Sequence, residues 1–122
     1  MMLLRYKKTY EKIAMGLLSY MPGDKSAKQL QEAIHQYETD EDWQLYLAKK
    51  EDDIIGLIGI EVKDDAYILH HLSVNPSYRG EGVGQAIVSK LQSLFPAKKC
   101  FATNETESFI KKCIEKEEGA GE

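Results

Sequence analysis

The sequence predicts one α+β domain, a mixed central sheet flanked by helices. Three observations carry this. Two early blocks repeat their apolar residues every three to four positions. Three short apolar runs then follow one another across turns of two or three polar residues. Finally, a strand leads through a glycine-rich loop into an amphipathic helix and another strand. Such a strand–helix–strand unit joins parallel neighbours, whereas tight turns join antiparallel ones.

Element by element, Leu3 to Tyr6 is a short first strand. Tyr10, Ile13, Ala14, Leu17 and Met21 fall at helical spacing, and Pro22-Gly23 stops that helix. Ser26 with Gln29 has the form of a capping box. Behind it Leu30, Ala33, Ile34 and Tyr37 make the stripe of a second amphipathic helix. Trp43, Leu45 and Leu47 then alternate with other residues, as a half-buried strand does. Residues 54–62 are apolar almost throughout and read as a strand covered on both faces. Residues 66–74 make a third. Asn75-Pro76 breaks it, because proline donates nothing to a ladder. Val83, Ile87, Leu91 and Leu94 line a helix that Pro96 ends. Residues 98–103 form a last strand with Cys100 and Ala102 inward, and residues 105–117 a final helix.

The length of 122 residues fits a single domain, here residues 1–117 with a flexible tail over 118–122. An apolar share of 43% and a charged share of 30% describe a globular chain rather than a disordered one. A net charge of −4 argues against nucleic acid as the main partner. No apolar run is long enough for a membrane span, and none resembles a secretory signal, so a cytoplasmic location is expected. Cys100 and Cys113 lack metal-site spacing and read as reduced thiols, with no metal expected.

The chemistry concentrates between His71 and Gly84. Gly80, Gly82 and Gly84 alternate just before the helix. Glycine allows tight turns and close approach of backbone to a ligand. The first amides of a helix have no partner within it, and the helix dipole makes that end positive. The combination suits a phosphate, and Arg79 adds a charge-assisted contact. A Walker loop is excluded, since GxxxxGK(S/T) is absent. The dinucleotide fingerprint GxGxxG also fails, with Gln85 at its third glycine. Three glycines at a helix start also serve simply to shape a turn.

The string Arg79-Gly80-Glu81-Gly82-Val83-Gly84 matches the Q/R-x-x-G-x-G/A pattern of the GNAT acetyltransferases, and the preceding Leu-Ser-Val-Asn-Pro-Ser-Tyr resembles that family's strand and loop. The resemblance covers nearly the whole chain and implies the GNAT acyl-CoA N-acyltransferase fold with acetyl-CoA as cosubstrate. It implies that Arg79, Gly80, Glu81, Gly82, Val83 and Gly84 hold the pyrophosphate of coenzyme A. It further implies that Leu72, Ser73 and Val74 bond the pantetheine arm in a gap between splayed parallel strands, a backbone amide near Leu72 serving as oxyanion donor. Asn104 corresponds to an asparagine that contacts coenzyme A. The runs from Arg5 to Ser19 and from Tyr37 to Asp40 resemble small acetyltransferase-like proteins encoded with riboflavin genes in Bacillus-type bacteria, which implies a loose link to flavin metabolism. Two departures matter. Ile110 follows Phe109 where the family places a tyrosine that protonates the departing thiolate. Two strands usual after the last helix are also expected to be missing.

Transfer to an amine needs a base. Glu61, His70, His71, Tyr67 and Tyr78 are the titratable candidates near the cleft. Period two would send His70 and His71 to opposite faces, and sequence singles out none of the five. The leading expectation is an N-acetyltransferase of slow turnover acting on an amine. A coenzyme A-binding regulatory module and a ligand-free structural partner are the alternatives. An uncovered last strand would favour a homodimer.

Overall fold

The computed structural model describes residues 1–21, 26–103 and 106. Five strands form one sheet in chain order: β1 (Met2–Arg5), β2 (Trp43–Lys50), β3 (Asp53–Val62), β4 (Ala66–Val74) and β5 (Lys99–Ala102). The first four are antiparallel neighbours, and β5 lies parallel to β4. The helices are α1 (Glu11–Leu18), α2 (Ala27–Thr39) and α3 (Val83–Leu94), the last crossing from β4 to β5. The expected final helix, Asn104, Ile110, Cys113 and the tail lie outside the described residues, as does Pro22-Gly23.

Each face of the sheet has its own core. On one face α1 and α2 bring Ala14, Leu17, Leu18, Ile34 and Tyr37 onto Leu45, Leu47 and Leu57. On the other, α3 sets Val83, Ile87, Val88 and Leu91 onto Ile55, Ile58, Ile60, Tyr67 and Leu69. This double cover explains why β3 is apolar at nearly every position. Ser26 caps α2 as its spacing predicts, its hydroxyl accepting the Gln29 amide at 3.2 Å. Lys98 anchors the start of β5 by donating to the backbone carbonyls of Lys63 and, at 2.7 Å, Asp64.

Two apolar positions lie elsewhere than expected, and a third takes the outward place that period two gives it. Ile13 points outward from α1 at 46% exposure, because the buried stripe runs through Ala14, Leu17 and Leu18. Leu94, at the last turn of α3, is exposed, and Phe95 packs against Tyr67 in its place, ring centres 5.5 Å apart. Phe101 is exposed on β5 between the inward Cys100 and Ala102.

The departure that shapes the site is a bulge. Gly59 pairs with His71, but Ile60 pairs with Leu69, so His70 is an extra residue on β4. It shifts the phase of the strand. Tyr67 and Leu69 face α3 before it, Leu72 and Val74 after it. His70 and His71 therefore share the face of α1 and α2, and their rings are 6.5 Å apart. The expectation of opposite faces fails because period two holds only along an unbroken ladder.

Candidate functional site

A gap opens beside β4 where β5 ends. Residues 66–69 pair with residues 99–102. The Leu69 carbonyl then accepts the Thr103 amide at 3.4 Å and the Thr106 hydroxyl at 2.9 Å, which closes the apex. Beyond it, residues 71–74 pair with β3 alone among the described residues. The Asn75 amide donates to Ile55 on β3 at 2.8 Å. Backbone groups alternate sides along a strand, so Ser73 also bonds toward β3, while the N–H and C=O of Leu72 and Val74 face the gap. Without the bulge that assignment would be reversed. The Ser73 side chain is buried and donates to the Leu17 carbonyl at 2.5 Å, tying α1 to β4.

The gap runs toward the glycine loop. Asn75 Oδ1 accepts the Ser77 amide at 2.9 Å across a short 3-10 turn, Pro76–Tyr78. The Tyr78 hydroxyl donates to Asp53 at 3.2 Å and pins the loop to the start of β3. Gly80 (φ +86°) and Gly82 (φ +74°) are left-handed, a conformation that disfavours any side chain. A Cβ at either would meet nothing within 4 Å. These glycines are thus set by backbone shape, and their outer side is open. Gly82 caps α3 with no side-chain capping bond. The first amides of α3 have no partner within the helix. Arg79 and Glu81 are exposed, whereas Val83 and Gly84 are buried and offer only their backbone. A phosphate fits this cradle, and an extended amide-bearing arm fits the edge of β4 that is free among the described residues.

The titratable candidates separate into three environments. Tyr67 is fully buried on the α3 side, and burial pushes its phenol upward. Tyr78 belongs to the loop. Glu61, His70 and His71 come together with two residues that the sequence did not flag, Tyr37 and Trp43. His70 stacks on Trp43 with ring centres 4.2 Å apart and planes at 19°. Its Nε2 lies 3.0 Å from Glu61 Oε1, and the other Glu61 oxygen holds Lys63 at 2.7 Å. Lys63 first, then His70, keep the Glu61 carboxyl below its usual range. His71 is more enclosed. Its Nδ1 lies 2.6 Å from the Tyr37 hydroxyl, and burial lowers its pKa to about 4. The sequence gives little warning of the bulge, since Ala66, Tyr67, Ile68 and Leu69 are all apolar and mark no phase; only after it do Leu72 and Val74 pick out the even positions.

A second concavity of about 800 Å³ lies at the same end of the sheet, between α1 (Ile13, Gly16), Tyr20 just past it, Asp52 and Asp53 where β3 begins, and Tyr78. No cluster of metal-ligating side chains occurs among the described residues.

Comparison with known proteins agrees with this geometry. The acetyltransferase (GNAT) family model matches residues 11–109. An uncharacterized N-acetyltransferase in the lysA 3′ region of Bacillus methanolicus is 52% identical over 113 residues, 92% of this chain and 94% of that protein. The fold is shared with two aminoglycoside 6′-N-acetyltransferases. AAC(6′)-Ig from Acinetobacter haemolyticus superposes at a TM-score of 0.72 with 15% identity, over 96% of this chain and 88% of that one. AAC(6′)-Iy, in complex with a coenzyme A bisubstrate analogue, gives 0.72 with 13% identity, over 94% and 86%.

Proposed function

The chain belongs to the acetyltransferase (GNAT) family, and from that premise we propose that it moves the acetyl group of acetyl-CoA onto an amine held at the mouth of the β4–β5 gap. The observation that carries the reading is the edge of β4 that no other described strand pairs with, where Leu72 and Val74 turn into the gap, running onto a left-handed glycine cradle. Leu72 and Val74 bond the amides of the pantetheine arm, and the Leu72 N–H stands ready for the developing oxyanion. Ser73 acts indirectly, by fixing α1. The amides of Gly80, Glu81, Gly82, Val83 and Gly84 hold the pyrophosphate with the Arg79 guanidinium, and Asn104 completes the contacts.

Titration calorimetry and thermal unfolding with coenzyme A and acetyl-CoA test this. At about 100 times the dissociation constant the ligand should stabilise the fold by about 2.7 kcal/mol. Gly82→Val should weaken affinity at least about tenfold, or about 1.4 kcal/mol. No shift at millimolar coenzyme A removes the proposal.

A second reading, a coenzyme A-binding module with little turnover, is favoured by Ile110 at the family's tyrosine position. Transfer to a panel of amines, followed as thiol release, separates the two. The likeness to proteins of riboflavin operons supports flavin precursors in that panel. The Bacillus methanolicus relative is described only by its place beside lysA, so the panel extends beyond them. A cytoplasmic, reducing setting belongs to the same proposal. In keeping with it, burial raises the Cys100 thiol above its ordinary range, as befits an unreactive cysteine. So does a homodimer through the outer edge of β5, which light scattering at tens of micromolar would test.

A further inference from the structure

We propose that His70 is the proton acceptor of the transferase, with Glu61 and Trp43 as the residues that position it. The inference rests on the acetyl-transfer reading above. His70 is the first residue past the last β4–β5 pair, so it stands at the apex of the gap, and the bulge turns its side chain to the α1 and α2 face. An acceptor approaching from that face meets His70 beside the amide of Leu72.

The ring is held on two sides. Trp43 stacks on one face, and Glu61 Oε1 faces Nε2 at 3.0 Å. An ionised carboxylate only accepts hydrogen bonds, so it selects the tautomer with the proton on Nε2 and the lone pair on Nδ1. Lys63 keeps Glu61 ionised and turned toward this task. The His70 side chain is 21% exposed, enclosed enough to be fixed and open enough to exchange a proton. His71 lacks these properties. Tyr37 occupies its Nδ1, and its depressed basicity makes it a poor acceptor from an ammonium. Among the described residues, the charged and titratable groups that face His70 are Glu61 and His71, backed by Lys63 and Tyr37 respectively.

The step balances as follows. The acceptor ammonium gives one proton to Nδ1, directly or through one water. Its nitrogen forms a bond to the acetyl carbonyl carbon, and the carbon–sulfur bond breaks with its electron pair on sulfur. The surplus proton on nitrogen ends on sulfur, giving the amide and a free thiol. His70 returns its proton to solvent.

Steady-state kinetics on His70→Ala, His70→Gln and Glu61→Gln test this, with acetyl-CoA affinity measured alongside. Both His70 variants should lose about 10²–10⁴-fold in kcat while binding acetyl-CoA as the wild type does. Added imidazole should restore part of the rate to His70→Ala. Glu61→Gln should lower kcat at least tenfold without changing KM for acetyl-CoA. His70→Gln fills the same space and can still donate to Glu61. A wild-type rate in that variant would mean that His70 only supports the structure, and would overturn the proposal even where His70→Ala fails to fold. A loss in His70→Ala that imidazole leaves untouched would overturn it too. Absence of transfer by the wild type would sink the acetyl-transfer reading itself, a result distinct from either.

Discussion

The two halves of β4 have the same neighbour on one side and opposite fates on the other. Residues 66–69 sit between β3 and β5, and Tyr67 and Leu69 are fully buried against α3. Residues 70–74 keep β3 but have no strand beside them among the described residues, and only Ser73 of the five is fully enclosed. One extra residue separates the halves. The first half spends its backbone hydrogen bonds on the sheet and its side chains on the core. The second turns the amides and carbonyls of Leu72 and Val74 toward the gap, where the proposed pantetheine arm would lie, and gathers titratable side chains on one face. In the proposed reading one strand is thus scaffold in one half and site in the other, because its phase changes between the two.

The largest effect that would sharpen this contrast is in stability. Leu69→Ala opens a cavity in the closed half and should cost about 2–5 kcal/mol. Leu72→Ala, half-buried beside the gap, should cost less than half of that. Urea unfolding followed by circular dichroism reads both. Equal costs would mean that the open half is packed as tightly as the closed one.

A smaller effect separates the two histidines by pH. In the folded chain His71 titrates at about 4, against about 6.5 when unfolded. The unfolded chain therefore takes up the proton first as pH falls. The stability that neutral His71 contributes is complete above pH 6.5 and drains away as pH drops toward 4. The loss across that window should be roughly 3 kcal/mol. His71→Gln should flatten the slope relative to the wild type, and an unchanged slope would show that His71 is not the group responsible.

Much of this was legible in advance, for physical reasons. The turns at residues 51–53 and 63–65 are polar and the strands beside them are apolar, so strand limits fell within a residue or two. The Ser26 cap is a local interaction and was read locally. The glycine loop was readable because left-handed backbone demands glycine at Gly80 and Gly82. What escaped was long-range. Which of Leu72, Ser73 and Val74 would face the gap depends on counting through a bulge. The grouping of Glu61, His70 and His71 with Tyr37 and Trp43 needs α2 to be laid across the sheet, and no local pattern encodes that. Ile13 and Leu94 fit helical stripes by spacing yet lie at the margins of the buried faces.

The finest break in the comparison lies at Gly59, opposite the bulge. A Cβ there would stand 2.0 Å from the Tyr37 hydroxyl oxygen and 2.4 Å from its ring carbon Cζ. Tyr37 is buried and cannot swing into solvent, so Gly59→Ala must push the phenol off His71 and strain the packing of α2 on the sheet. Overpacking of this kind costs about 1–3 kcal/mol. The injury should fall on the open half alone, since the α3-side residues Ile58 and Ile60 point away from it. The expected result is modest destabilisation with a larger fractional loss of transfer than of coenzyme A affinity. His71 loses its anchor, and the neighbouring His70 ring, 6.5 Å away, loses a fixed wall. Calorimetry with coenzyme A beside a transfer assay on the same preparation reads the two separately. If affinity and transfer fall together, the bulge organises the whole gap; if neither moves, Tyr37 relaxes freely, and the ordered histidine face is less rigid than its contacts indicate.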